Sequence, residues 1–252
     1  MIRILLNGCN GNMGQAIART CALNEDLYIV AGLDTSKRDT AQFPVYTSPW
    51  DVKEEVDLII DFSHPNALKS ILEYAVEKSI PVVIATTGFN DEHKKLIMEA
   101  SESIPVLLSA NMSLGINLLL ELVKRATKAL NGAFDIEIIE KHHNQKIDAP
   151  SGTALAIADA VNSALDNKMK FVYDRHSSRQ KRTRDEIGIH SIRGGTIAGE
   201  HSIIFAGNDE IIELKHTAIS RDLFAAGALK AAAFLYGKGP GFYTMQDMFE
   251  KI

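Results

Sequence analysis

Cysteine is nearly absent from this chain, whose 252 residues include only Cys9 and Cys21. So few cysteines in a chain of this length exclude a disulfide-stapled scaffold, so a reducing compartment, the cytoplasm, is the expected location. No uncharged apolar run approaches the roughly 20 residues that a membrane-crossing helix needs. No apolar core with a small-residue cleavage site follows Met1. We therefore expect neither a membrane span nor a secretory leader.

An excess of positive charge is also missing. The 27 Lys and Arg residues are outnumbered by 32 Asp and Glu residues, which gives a formal net charge of -5. Proteins that bind nucleic acid usually present a basic face, so we expect no nucleic-acid partner. A local basic pocket for an anionic small molecule stays compatible with this balance. At 46% hydrophobic and 23% charged residues, the chain has the composition of a globular protein with one large or two modest domains.

Short apolar runs alternate with amphipathic segments through the first half of the chain. The apolar runs predict buried strands, and the segments between them predict helices with apolar residues at three- and four-residue spacing. Because parallel strands need a crossover connection, this α/β alternation predicts a Rossmann-like, doubly wound parallel sheet over residues 1–112. The predicted strands are Ile2–Leu6, Tyr28–Leu33, Val56–Phe62, Pro81–Thr86 and Pro105–Ser109, and the predicted helices are Met13–Leu23, Pro65–Lys78 and Asp91–Glu102.

The pattern changes after Asn111, where we predict an inserted α+β domain over residues 113–221. A final alanine-rich helix, Asp222–Tyr236, returns the chain to the first domain, which regains residues 222–252. The last three apolar runs of the inserted domain are separated by glycine and Asn-Asp turns, which predicts an antiparallel meander. The predicted elements of this domain are a helix at Ile116–Leu130, a strand at Phe134–Glu140, a helix at Pro150–Leu165, a surface loop at Asn167–Arg184 and meander strands at Glu186–Arg193, Glu200–Gly207 and Glu210–Thr217.

A glycine-rich loop joins the first predicted strand to the first predicted helix. Gly8, Gly11 and Gly14 occur there with G-x-x-G-x-x-G spacing. Glycine permits a tight turn and the close approach of a phosphate to backbone amides, while the helix N-terminus presents free N–H groups and a positive dipole end. The loop therefore predicts a dinucleotide site, and the alternative is a plain strand–helix turn.

Asp34 ends the second predicted strand, about 20 residues after the loop, where an acidic side chain accepts hydrogen bonds from the ribose hydroxyls of a dinucleotide. Lys37 and Arg38 follow closely. These two cations could bind the 2′-phosphate of NADPH, and the equally compatible alternative is that they belong to a solvated loop. We therefore expect NADH, NADPH or both as cofactor.

Polar and small residues follow the later predicted strands. Ligands of open α/β sheets bind at the carboxyl ends of the strands. Thr86, Thr87 and Gly88 offer hydroxyls and accessible backbone at the end of the fourth predicted strand. Ala110, Asn111 and Met112 hold the same position after the fifth.

The densest chemistry lies between Glu140 and Thr153. His142 and His143 titrate near neutral pH and are candidate proton donors. Lys146 supplies a positive charge against a carboxylate or developing negative charge. Ser151-Gly152-Thr153 at a helix start forms an anion site. Together these residues predict a pocket for an acidic substrate that is protonated during the reaction.

Two alternatives compete with this interpretation of the histidines. A metal site is disfavoured, because adjacent residues of an extended segment point in opposite directions and no cysteine lies nearby. We therefore predict no metal. The second alternative is that one of the two histidines only packs or hydrogen-bonds at the domain hinge. From these residues alone, the segment marks an anion site without naming its substrate.

These segments resemble the 4-hydroxy-tetrahydrodipicolinate reductase family of diaminopimelate and lysine biosynthesis. The resemblance spans the chain and is most specific from His142 to Thr153. It implies that His142 is the general acid, that Lys146 stabilises negative charge on the substrate, and that hydride reaches C4 of the ring while a proton is delivered at C3. Substrate-binding positions implied by it are His143, Gly152, Thr153 and Arg221.

The resemblance also implies the cofactor positions and the assembly. Gly8, Gly11, Met13, Asp34, Thr86, Gly88, Ala110 and Met112 match dinucleotide-contacting positions, to which Asn12, Gly14, Thr87 and Asn111 are added by their place in the same loops. The expected substrate is a cyclic dicarboxylate, and the expected assembly is a homotetramer built through the sheet of the second domain. Two other functions stay open: a dehydrogenase of another small dicarboxylate such as aspartate, and a non-catalytic NAD-responsive regulator.

Overall fold

The computed structural model describes residues 1–36, 42–130, 133–177 and 179–249. The chain divides into two compact units, one made of Met1–Leu114 with Arg221–Ile252 and the other of Gly115–Ser220. Lys37 and Arg38 lie outside the described residues. Within the described part of the chain, every helix is too short or too polar to cross a membrane.

The first unit is built on a seven-stranded sheet in which every neighbouring pair is parallel. The strand order is β12-β6-β5-β4-β1-β2-β3. These strands are β1 Ile2–Asn7, β2 Leu27–Leu33, β3 Val45–Tyr46, β4 Leu58–Asp61, β5 Val82–Ile84, β6 Pro105–Leu108 and β12 Gly241–Tyr243. The predicted doubly wound parallel sheet is confirmed.

Helices cover both faces of this sheet because alternate strand residues point to opposite sides. Ile4 and Leu6 of β1 pack with α1 (Asn12–Cys21) and α6 (Asp222–Leu235). Leu5 packs on the other face with α2 (Leu68–Lys78) and α3 (Asp91–Ser101). Strands buried on both sides lose polar alternation, which is why their sequences show continuous apolar runs.

The second unit is a five-stranded mixed sheet in the order β11-β10-β7-β9-β8. Its strands are β7 Asp135–His142, β8 Lys170–Val172, β9 Glu186–Arg193, β10 Gly199–Ala206 and β11 Ile211–Ala218. Two helices, α4 (Leu114–Ala129) and α5 (Gly152–Ala164), pack on one face of this sheet around a core that includes Ile138, Ile203 and Phe205.

The predicted antiparallel meander is wrong, because β7 lies between β9 and β10. β7 pairs in parallel with β9 and antiparallel with β10, so only β10 and β11 form an antiparallel hairpin. The connection from β9 to β10 therefore passes the end of β7, where the Gly194 amide donates to the carbonyl of His142 at 2.9 Å. Glycine turns between apolar runs indicate strands, but they carry no information about a third strand placed between them.

Three short strands were also missed by the sequence pattern. β8 lies inside the predicted surface loop Asn167–Arg184 and pairs in parallel with β9. β3 and β12 form the edges of the first sheet. With two or three residues each, these strands are too short to show an alternation.

Candidate functional site

The glycine loop of the first unit is tightly folded on its own backbone. Gly8 has a φ of 79°, and a Cβ there would lie 2.4 Å from the carbonyl oxygen of Phe62. A Cβ on Gly14 would lie 2.2 Å from the carbonyl oxygen of Gly8. Both positions therefore require glycine, because a Cβ at either one would strike the backbone of this tight turn.

The first turn of α1 is open to an anion. Its N-cap is Gly11, and no side chain of the described residues caps the helix. Asn12 is exposed, while Met13 packs toward the core. Asp34 stands beside the loop at the end of β2, and its carboxylate accepts from the Asn10 amide at 3.0 Å. The residues present therefore fit a dinucleotide, with amides for the pyrophosphate and a carboxylate for a ribose.

A buried network of hydrogen bonds connects the ends of β1, β4 and β5 next to this loop. Asp61 accepts from the Asn7 side chain at 2.7 Å, from Ser63 at 2.6 Å and from the Thr86 hydroxyl at 2.8 Å. Burial raises the pKa of Asp61, while these three hydrogen bonds act in the opposite direction. The Thr86 hydroxyl also accepts from the Ser63 amide at 2.9 Å, so it is engaged inside the protein.

The other predicted cofactor residues differ in how far they are exposed to solvent. Thr87 and Gly88 are exposed after β5, and Gly88 has a φ of 85°. Ala110 is exposed and Asn111 is partly buried after β6. The Met112 side chain is buried in the core, and its carbonyl oxygen packs so closely against α6 that a Cβ on Gly227 would lie 1.7 Å from it.

Replacing Gly14 with alanine is expected to weaken nucleotide binding. The added Cβ meets fixed backbone of the loop, and such overpacking costs about 1–3 kcal/mol. The free loop relieves part of this strain by relaxing, and binding must restore the tight conformation, so we expect the Kd of NADH and NADPH to rise about 10- to 100-fold. Fluorescence titration measures both Kd values. Gly239→Ala is the matched control, because a Cβ there meets no described atom within 4 Å. Equal Kd values for the two variants would contradict the role of Gly14.

In the second unit, His142 is held by a buried ion cluster. The ring Nδ1 lies 2.6 Å from Glu140 Oε2. Arg193 grips both oxygens of the same carboxylate, at 2.7 Å and 2.6 Å. Glu140 is fully buried. Burial raises the pKa of Glu140, but the hydrogen bonds from Arg193 and His142 outweigh it and bring the pKa to about 2.

The N-terminus of α5 closes one side of this cluster. The Ser151 amide donates to Glu140 Oε1 at 3.1 Å, and its hydroxyl accepts from the Ala154 amide and lies 2.9 Å from His201 Nε2. Burial, together with the nearby His142, lowers the pKa of His201 to about 4. The His201 ring packs edge-on against the His142 ring at a centroid distance of 5.2 Å.

Lys146 lies in the turn that follows β7. Its Nζ is 2.8 Å from Asp148 Oδ1, and this contact lowers the pKa of Asp148. The turn is closed by the Lys146 amide, which donates to the carbonyl of His143 at 3.1 Å. Because Asp148 is more than half exposed, the Lys146 ammonium is well suited to meet a second, incoming carboxylate.

The structure places the predicted site residues in two groups. His142, His143, Lys146, Gly152 and Thr153 lie in the second unit, between the end of β7 and the first turn of α5. Arg221 lies in the segment of the first unit that begins α6, and its side chain is exposed. All the predicted cofactor residues lie in the first unit. Within the described residues, no group of three or more His, Cys, Asp and Glu side chains is arranged to hold a metal ion.

Three members of the ion cluster escaped sequence reasoning as functional residues: Glu140, Arg193 and His201. Glu140 carries a usable signal, because it lies two residues before His142 and so shares its face of the strand. Arg193 and His201 are 51 and 59 residues away along the chain from His142 (193 − 142 and 201 − 142). Their proximity follows only from the pairing of β7 with β9 and β10.

A parallel sheet with a glycine loop at the first strand–helix turn, together with a second unit that holds a histidine–carboxylate pair and a lysine, is the arrangement expected of a two-domain, nicotinamide-dependent reductase. Comparison with known proteins identifies the family. The model for the N-terminus of dihydrodipicolinate reductase matches residues 2–112, and the model for its C-terminus matches residues 115–249. This chain belongs to the dihydrodipicolinate reductase family, whose members are NAD(P)H-dependent oxidoreductases.

Individual relatives are similar over their whole length. The chain is 53% identical to a 4-hydroxy-tetrahydrodipicolinate reductase of Caldanaerobacter subterraneus subsp. tengcongensis, with 100% of this chain and 99% of the relative covered. It is 51% identical to that of Clostridium tetani, with 98% and 97% covered. Among solved structures, a dipicolinate-bound dihydrodipicolinate reductase from Paenisporosarcina sp. TG-14 superposes with a TM-score of 0.83 at 25% identity, with 97% of each chain covered.

Proposed function

We propose that this protein reduces 4-hydroxy-tetrahydrodipicolinate to tetrahydrodipicolinate with NADH or NADPH, and that the His142–Thr153 segment binds and protonates the cyclic dicarboxylate. The observation that carries the proposal is the His142–Glu140–Arg193 cluster beside Lys146. It combines a histidine oriented for proton transfer with a cation available to a substrate carboxylate. The regulator alternative requires the nucleotide site but not a histidine and a lysine placed together for an acidic substrate.

The proposed substrate-site residues then have distinct tasks. His142 delivers the proton to the substrate from Nε2, because its Nδ1 is committed to Glu140. Lys146 exchanges part of its contact with Asp148 for the substrate and stabilises the negative charge on it. His143, the amides of Gly152 and Thr153 at the start of α5, and Arg221 bind the two carboxylates.

The reduced nicotinamide supplies the hydride. The first unit binds it through the loop of Gly8, Gly11 and Gly14 and through the Asp34 carboxylate. Thr87, Gly88, Ala110 and Asn111 line the carboxyl ends of β5 and β6, where ligands of open α/β sheets bind. Thr86 and Met112, whose side chains are buried, contribute through backbone or by holding the loops in place.

The proposal is tested by following the oxidation of NADH and NADPH by absorbance. The substrate is generated in the cuvette from pyruvate and aspartate semialdehyde by the preceding synthase. Oxidation that requires every component establishes the activity and ranks the two cofactors. Folded protein that binds nucleotide but oxidises neither cofactor would reject the reaction. Aspartate offered as the alternative dicarboxylate, with NAD⁺ or NADP⁺, tests the dehydrogenase.

We also propose a homotetramer in the cytoplasm, where reduced nicotinamide and this biosynthetic substrate would be available. The face of the second sheet opposite α4 and α5 is the surface proposed for assembly. Ile139 and Ile204 are partly exposed on it, and Ile192 is 45% exposed. Such an apolar face favours association. Sedimentation equilibrium measures the assembly, and a mass of one 27.6 kDa chain would reject it.

A further inference from the structure

The Glu140 carboxylate is surrounded by hydrogen-bond donors. Arg193 donates to both of its oxygens, and the Ser151 amide donates to Oε1. The Ser191 hydroxyl also stabilises the ionised form. An ionised carboxylate is acceptor-only. The remaining contact, at 2.6 Å from His142 Nδ1, is therefore one in which the histidine donates.

We propose that Glu140, clamped by Arg193, is a positioning residue that holds His142 in the Nδ1–H form, so that Nε2 is the ring nitrogen that gains and loses the catalytic proton. This inference rests on the proposed role of His142 as general acid. A histidine that gives up a proton from Nε2 is left as the neutral Nδ1–H tautomer, and that is the tautomer to which the carboxylate is matched.

Other contacts hold the ring in the same orientation. His201 packs edge-on against it at a centroid distance of 5.2 Å. Gly199 lies beside Nε2, where a Cβ would come within 3.2 Å of that nitrogen, so the glycine leaves Nε2 uncovered. The charged and titratable groups around the ring are Glu140 on β7, Arg193 on β9, His201 on β10 and Lys146 in the following turn. Of these, Glu140 contacts a ring nitrogen of His142 within hydrogen-bond distance in the described structure.

Glu140→Gln changes the hydrogen-bonding groups that face His142 while it keeps the shape of the side chain at position 140. A glutamine amide has one accepting oxygen and one donating nitrogen. When the oxygen faces the Ser151 amide, the NH₂ group faces Nδ1 and reverses the tautomer. Loss of the correct tautomer in a buried carboxylate–histidine pair costs up to about 10⁴-fold in kcat, and loss of a residue that orients a ligating histidine about 10- to 100-fold. We expect kcat to fall at least about 10-fold, with KM changed much less.

Glu137 provides the matched control. It lies on the same strand, accepts from His190 at 2.8 Å, and is paired with Arg175 and Arg182. Glu137→Gln therefore disturbs a similar carboxylate–arginine–histidine cluster on the opposite face of the sheet. Because this face is also the surface proposed for assembly, kcat is compared between preparations of equal assembly mass, and the kcat of Glu137→Gln is then expected to match that of the wild-type protein. Melting temperature and assembly mass are compared for both variants.

The tautomer is read directly from the ¹⁵N chemical shifts of histidine-labelled protein, with His142→Gln used to assign the resonance. The expected result is Nδ1–H in the wild-type protein and in Glu137→Gln, and Nε2–H in Glu140→Gln. This readout needs no substrate, so it stands even if the proposed reaction fails. Nε2–H in the wild-type protein, or an unchanged kcat in Glu140→Gln, would overturn the proposal.

Two further variants keep the test decisive if Glu140→Gln does not fold. Glu140→Asp retains an acceptor-only carboxylate, so we expect Nδ1–H to be retained and kcat to lie well above that of His142→Gln. Arg193→Lys keeps the positive charge but loses the two-point grip on the carboxylate. We expect it to lower kcat while melting close to the wild-type temperature. Wild-type kcat in Arg193→Lys would contradict the clamp.

Discussion

Replacing His142 with glutamine is expected to lower kcat by about 10²- to 10⁴-fold, which is the contribution typical of a positioned general acid. Glutamine can donate to Glu140 through its amide, so the buried carboxylate keeps a partner. It cannot deliver a proton to the substrate. KM and the Kd of the cofactor should change far less than kcat, because the lost interaction acts in the transition state. Steady-state kinetics with saturating NADH or NADPH measures the split.

His190→Gln is the control for this experiment. His190 also contacts a strand glutamate through a ring nitrogen, at 2.8 Å from Glu137, but it lies on the other face of the sheet. Its kcat should equal that of the wild-type protein. If His142→Gln also retained kcat within about 3-fold, a change too small for the loss of a general acid, another group would have to supply the proton.

Replacing Lys146 with methionine is expected to lower kcat/KM by about 10²- to 10³-fold, the effect of removing one group that stabilises developing charge. Methionine keeps most of the length of the side chain and removes the ammonium. Asp148 loses its partner, so its uncompensated negative charge repels the incoming dicarboxylate. KM should therefore rise as kcat falls. Kinetics over a range of substrate concentrations measures both values.

Lys168→Met is the matched control, since Lys168 pairs with Asp166 at 3.0 Å and with the same two-residue spacing. The side chains of Lys168 and Asp166 are both exposed, and they follow the C-terminal end of α5, whereas the His142–Thr153 segment precedes that helix. It should leave kcat/KM unchanged. A loss in Lys146→Met no larger than the loss in Lys168→Met would assign the lysine a structural role only.

The first domain was the part of the fold best predicted from the sequence. Five strands of its sheet and the glycine loop are local features. Each strand corresponds to a contiguous run of apolar residues buried on both faces. The loop corresponds to glycines at positions where a Cβ would strike backbone. The edge strands β3 and β12 were missed because strands of two or three residues leave no periodic signal.

The second domain was predicted less well. The strands β7, β9 and β10 were each found, but not their order. The insertion of β7 between the other two depends on hydrogen bonds between backbone groups, which every residue carries. The same pairing decides the composition of the site. His142 and Lys146 are visible as a local motif, whereas Arg193 and His201 reach that motif only through the register of the sheet.

The sequence by itself determined the class of fold, the loop that suits a dinucleotide and the segment proposed to supply the acid and the cation. These properties depend on residues within about one turn or one strand of each other, where spacing alone sets which side chains share a face. Only the tertiary structure decided that Glu140 is buried, that Arg193 donates to both of its oxygens, and that His142 Nδ1 lies within hydrogen-bond distance of it. Those properties depend on burial and on donors brought together from two strands and a helix N-terminus. A carboxylate is kept charged in the interior only when its surroundings supply the compensating hydrogen bonds.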